Sequence, residues 1–155
     1  MTFAPGANGQ ARPIRAIAGP LTGLGASGGS INGDDVVLSY SALTGRRYAA
    51  VSGCASSTVH AHIAVFPADR SGDIALVRTI KGARTHLGMH SQISGIAGDQ
   101  QRGQLYAMVT PCANDLAGSV VVYGWLAAGN VAPLRSFTDG STRFKDVQAI
   151  AFAPR

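Results

Sequence analysis

Glutamate is missing from the 155-residue chain, whose eight acidic side chains are all aspartate, and only two lysines stand beside eleven arginines. Long solvent-facing helices are built mostly from Glu, Lys, Gln and Ala, so this shortage excludes a helical bundle. Apolar runs are short as well. No window approaches the ~20 consecutive apolar residues of a membrane-spanning helix, so no membrane insertion is expected. The amino terminus carries no basic-then-apolar leader, which is compatible with cytoplasmic residence, a trimmed mature form or a piece of something longer. Aromatic residues make up only 6% of the chain. The net charge of +5 comes from scattered arginines, the longest run being Arg46 followed by Arg47. A nucleic-acid surface needs clustered cations interleaved with stacking rings, so no nucleic-acid partner is expected. Two cysteines, Cys54 and Cys112, are too few to define a redox compartment.

What the chain does have is glycine, at 20 positions, and 46% hydrophobic residues, enough for one ordinary core. It also has internal repetition. Three segments align, "TFAPGANGQARPIRAIAGPLTGL" from Thr2, "VFPADRSGDIALVRTIKGARTHL" from Val65 and "VYGWLAAGNVAPLRSFTDGSTRF" from Val122. Arg15, Arg78 and Arg135 coincide, as do Gly9, Gly72 and Gly129, then Ile17, Ile80 and Phe137, then Thr22, Thr85 and Thr142. A second register pairs "LTGRRYAAVSGCAS" with "QRGQLYAMVTPCAN", placing Tyr48 on Tyr106 and Cys54 on Cys112. Equivalent sites in successive units should lie farther apart than the ~7 Å Cα limit of a disulfide, so two separate thiols are expected.

Each unit reads as four short strands, typified by "SGIAGD", "RRYAAVS", "HAHIAVF" and "IALVRTI". Alternation, β-branched residues and Gly-rich turns support them. Four strands per unit at this period match the blade of a β-propeller. The string "GNVAPLRSFTDGSTRF" followed by "VQAIAF", with "GQLYAMV" before it, resembles the blades of bacterial NHL-like β-propellers. That resemblance covers nearly the whole chain and implies a ring, commonly six-bladed, in a protein often exported to the periplasm or beyond. Departures are visible: Asp139 replaces the glycine of Gly19 and Gly82, and a long insertion fills the loop between positions 22 and 36.

The expected fold is therefore all-β, a propeller-type arc of about three blades in a single domain. Its units cover approximately 1–34 (partial), 35–88, 89–145 and 146–155 (partial). Natural propellers close with typically 4 to 8 blades, and an open arc exposes apolar faces and strand edges. Either two copies associate head to tail around a two-fold axis, the preferred reading, or the missing blades belong to a longer polypeptide.

Antiparallel strand order places two sets of loops on one polar face. Arg84, His86, His90, Asn114, Asp115, Arg143, Lys145 and Asp146 stand there as the candidate ligand-binding residues, with Thr22, Asp34, Cys54 and Cys112 on the same side. Loops on a rigid scaffold are where binding concentrates, and the ligand class, whether small molecule, glycan or protein, stays open. His86 and His90 have a spacing that would converge on a helix, but they fall in a loop with no third ligand. His60 and His62 share a strand face and should contact a neighbouring blade. Arg15, Arg78 and Arg135 are read as mid-strand side chains that cover apolar surface while keeping the guanidinium in water. Trp125 is either buried against a strand or an exposed stacking surface. No catalytic residue, metal site or cofactor is expected. The leading function is a non-enzymatic binding or scaffold module. The alternatives are a metal-assisted hydrolase, lactonase or lyase acting at the ring axis, and a lectin-like propeller.

Overall fold

The computed structural model describes residues 1–24, 37–41, 44–51, 61–88, 91–112, 118–138 and 150–151, the strand at 37–41 by its backbone alone. Strands β1 (Val37–Ser41), β2 (Arg46–Val51), β3 (His62–Pro67) and β4 (Arg78–Ile80) form one antiparallel meander in sequence order. Strands β5 (Ser91–Asp99), β6 (Gln104–Pro111), β7 (Ser119–Gly124) and β8 (Arg135–Thr138) form a second. Short 3-10 turns at Pro20–Thr22 and Ala83–Thr85 are the only helical elements among the described residues, and none is long enough to cross a membrane. The all-β class and the four-stranded units are as expected. The partial units at the termini divide: at the amino end Thr2 bridges Arg15 in an antiparallel hairpin, whereas residues 152–155 lie outside the described set.

Burial explains why β3 reads as a continuous apolar run. Ile63, Ala64, Val65 and Phe66 are all buried, because both faces of the first sheet are covered. One face, with Tyr48, Ala50, Ile63, Val65 and Ile80, packs on Leu105, Ala107, Val109, Val121 and Tyr123 of the second sheet. The other, with Ala49 and Phe66, meets Ile17 and Leu24 of the amino-terminal segment. The fourth strands are shorter than their sequence pattern. Ile74 and Leu76 pack onto the Ala49–Phe66 cluster rather than extending the ladder, and Val77 rejoins it by donating to the Val65 carbonyl at 2.7 Å.

Two expectations are corrected. Cys112 is disulfide-bonded rather than a thiol, and the chain's one other cysteine, Cys54, lies outside the described residues. The sheets approach at their first strands, β1 lying against β5. Arg78 and Arg135 begin their strands instead of standing mid-strand, and Arg78 is half-buried rather than held in water.

Candidate functional site

The 3-10 turns are built alike. In "GPLTGL" and "GARTHL", Thr22 and Thr85 donate to the carbonyls of Gly19 and Gly82 at 2.6 Å. Each threonine oxygen then accepts from the amide two residues on, Leu24 at 3.1 Å and Leu87 at 3.2 Å. Thr22 is thus buried and committed to its turn, which removes it from the polar ligand face expected for it. These turns dock each unit on the next. The Leu21 amide donates to Asp73 and the Arg84 amide to Asn130, both at 2.8 Å. Ile17 forms a parallel bridge with Gly72, and Ile80 forms one with Gly129.

Above each bridge an arginine reaches across. Arg15 Nη1 donates to the Ala68 carbonyl at 3.2 Å, and Arg78 Nη2 to the Trp125 carbonyl at 2.5 Å. The repeated arginines therefore join units, a role that sequence reasoning missed because their acceptors are backbone atoms nearly fifty or more residues away. Trp125 is the hub of the second joint. It is 3% exposed, its ring lies 4.8 Å from Tyr48, and its indole N–H donates to the Asp99 carbonyl at 3.2 Å. Its own carbonyl also accepts from the Tyr48 hydroxyl at 3.0 Å. Of the two readings of Trp125, the buried one is observed.

The first joint is less complete. Between the hairpin and the first sheet lies a cavity of about 350 Å³, lined by Met1, Thr2, Arg15, Ala16, Ile17, Leu24, Arg47, Ala49 and Phe66. At the second joint Tyr48, from the second strand of the docking sheet, is buried in the core against Trp125. Among the described residues the hairpin brings no such ring to this position. The floor is apolar, while Arg15 and Arg47 bring two positive charges, and among the described lining residues none is acidic. Arg47 donates to the Arg70 carbonyl at 3.4 Å, and among the described residues no carboxylate pairs with it. Such a space suits an apolar body bearing an anionic group. A signal for it was present in the repeat, since Arg47 stands where the second unit has Leu105 and Phe66 where it has Tyr123.

Of the sequence-predicted site residues, Arg84 and His86 are exposed on the second 3-10 turn. His86 has φ of 59°, the left-handed conformation that its counterpart Gly23 adopts at 65°. His90, Asn114, Asp115, Arg143, Lys145 and Asp146 lie outside the described residues, so the convergence of the eight is not described. His60 is outside them too, and His62 is half-buried on β3. Among the described residues no three His, Cys, Asp or Glu side chains gather as metal ligands. Asp99 is engaged in a turn: its two oxygens accept from the Arg102 amide at 3.0 Å and guanidinium at 2.9 Å. Those bonds hold its carboxyl below the usual range. Burial pushes the Tyr123 hydroxyl well above its ordinary value, and that hydroxyl donates to the Thr85 carbonyl. Comparison of the chain with protein-family models, curated proteins and solved structures returns no match.

Proposed function

We propose that this chain is an arc of propeller-type blades working as a non-enzymatic binding module, with the arginine-rimmed cavity as its ligand seat. The observation that carries the reading is the joint between units, built twice from the same positions. A bridge at Ile17 or Ile80, an arginine on the carbonyl just past the third strand and a turn amide on Asp73 or Asn130 recur, the turn amides at 2.8 Å in both joints and the arginines at 3.2 and 2.5 Å. A joint that repeats with one geometry rotates each unit by a similar amount, the property that generates a ring or a regular array. Resemblance to NHL-like blades supports the ring. A disulfide at Cys112 supports an oxidising compartment and hence export.

The hydrolase alternative needs Asp, Asn or His side chains converging at the axis; Asp99 is bound by Arg102, and Asp34, Asp35, Asp115 and Asp146 lie outside the described residues. The lectin alternative relied on an exposed ring, and Trp125 is buried. In the ligand seat the two arginines select charge and the Ala49–Phe66 floor selects apolar bulk. Calorimetric titration with 8-anilinonaphthalene-1-sulfonate, which combines both features, tests the assignment. One saturable site is expected, weakened by Arg47→Gln and abolished by the cavity-filling Ala49→Trp. Unchanged binding in both variants, with the β circular-dichroism signal intact, would remove the cavity from the reading.

A further inference from the structure

Both halves of the inter-unit joint recur a third time in this chain, at its two ends. The donor half consists of Arg135 and Phe137 on β8, which align with Arg78 and Ile80, and with Arg15 and Ile17. The acceptor half is in the amino-terminal hairpin, where the Pro5 carbonyl aligns with those of Ala68 and Trp125 and Gly9 aligns with Gly72 and Gly129. Gly9 has φ of 55°, in the same left-handed region as Gly72 at 89° and Gly129 at 67°. We propose that a second copy of this chain docks its hairpin on β8, Arg135 donating to the partner's Pro5 carbonyl and Phe137 bridging to the partner's Gly9. The proposal rests on the propeller-type reading above.

Exposure separates the third joint from the second, while in the first Arg15 is itself exposed and Ile17 half-buried. Ile80 is 1% exposed in its joint, whereas Phe137 is 48% exposed. Arg78 is half-buried on the Trp125 carbonyl, whereas Arg135 is exposed and turns back within its own sheet. There it donates to Gln104 Oε1 at 2.6 Å and to the Tyr106 hydroxyl at 3.0 Å. This cluster holds the guanidinium near the position from which Arg78, beside Tyr48, reaches its carbonyl. On the hairpin, Phe3 is 48% exposed, at the position where Phe66 and Tyr123 are buried in the existing joints. An apolar ring and a waiting carbonyl on one end therefore match an apolar ring and an arginine on the other. The hairpin of the same chain cannot fill its own β8, because it is already seated on the opposite side of the first sheet through Ile17 and Gly72. A head-to-tail contact of this kind closes into a ring when its rotation permits and otherwise continues as a filament.

The experiment is sedimentation velocity combined with cysteine cross-linking, on the full chain. The unmodified protein is expected as an oligomer of the 15.8 kDa chain, dimeric for a closed pair. Arg135→Glu, which replaces the donor with an anion facing a carbonyl, should weaken association by roughly 10- to 100-fold, the worth of one charged hydrogen bond. The charge-matched control Arg70→Glu should leave it unchanged. Chains carrying Gly9→Cys, mixed with chains carrying Phe137→Cys under mild oxidation, should form a heterodimeric disulfide that neither chain forms alone. Monomers at every concentration together with no cross-link would overturn the docking. If the Arg78→Ala variant still shows the instability expected of a broken intrachain joint, the propeller-type reading survives that result. If Arg78→Ala is silent, both fail.

Discussion

Replacing Gly82 by alanine is the sharpest perturbation of the joint between the two sheets. Gly82 sits at φ 130° and ψ 171°, a backbone region that is essentially reserved for glycine and costs another residue ~1–3 kcal/mol. A methyl group there would stand 2.5 Å from Asn130 Oδ1, so the Asn130 side chain must swing away. In doing so it gives up the 2.8 Å bond from the Arg84 amide, worth about 1 kcal/mol. The combined loss is about 2–4 kcal/mol, a sizeable part of the ~5–15 kcal/mol that holds a domain folded. Urea unfolding monitored by β circular dichroism should show a lower midpoint with an unchanged slope. Asn130→Ala alone should cost about 1 kcal/mol. The double variant should cost less than the two singles together by about that amount, because the collision and the hydrogen bond are then removed once rather than twice. A Gly82→Ala loss under ~1 kcal/mol, or strict additivity in the double variant, would refute the claim that Gly82 and Asn130 form the joint.

Further outcomes follow from the same contacts. Trp125→Phe should destabilise by about 2 kcal/mol, since the Asp99 carbonyl loses its indole donor and the Tyr48 contact shrinks; thermal unfolding measures it. Because the folded pKa of Asp99 is lowered by Arg102, its stabilisation is present above the unfolded carboxylate pKa near ~3.9 and is lost as pH falls below it. Asp99→Asn should therefore flatten the acid limb of a stability–pH profile while leaving the alkaline limb alone. His86→Gly should stabilise by about 1 kcal/mol in denaturant titration, by relieving a left-handed residue at the position where the preceding unit has Gly23. Reduction with dithiothreitol should lower stability by about 2–4 kcal/mol, read as a drop in urea midpoint that returns on reoxidation.

Much of the architecture was legible in the residues, because strand identity depends on local alternation and on turns that glycine marks. The second and third strands fall where "RRYAAVS" and "HAHIAVF" placed them, and the alignment of Arg15 with Arg78 anticipated that both do the same work. What that work is could not be read, since the acceptors are main-chain oxygens of Ala68 and Trp125, and every residue carries such an oxygen. The fate of Trp125 was undecided for a related reason. Its burial depends on Tyr48 arriving from another sheet, a contact 77 residues distant in the chain. Close approach of β1 to β5 likewise reflects how two sheets stack. The arginine-lined cavity lies between the hairpin and the first sheet, a place set by how the two pack. Local chemistry thus determined the strands, the turns and their repetition, while only packing between units decided which polar groups became joints and where a space was left, because those outcomes depend on atoms brought together across the chain.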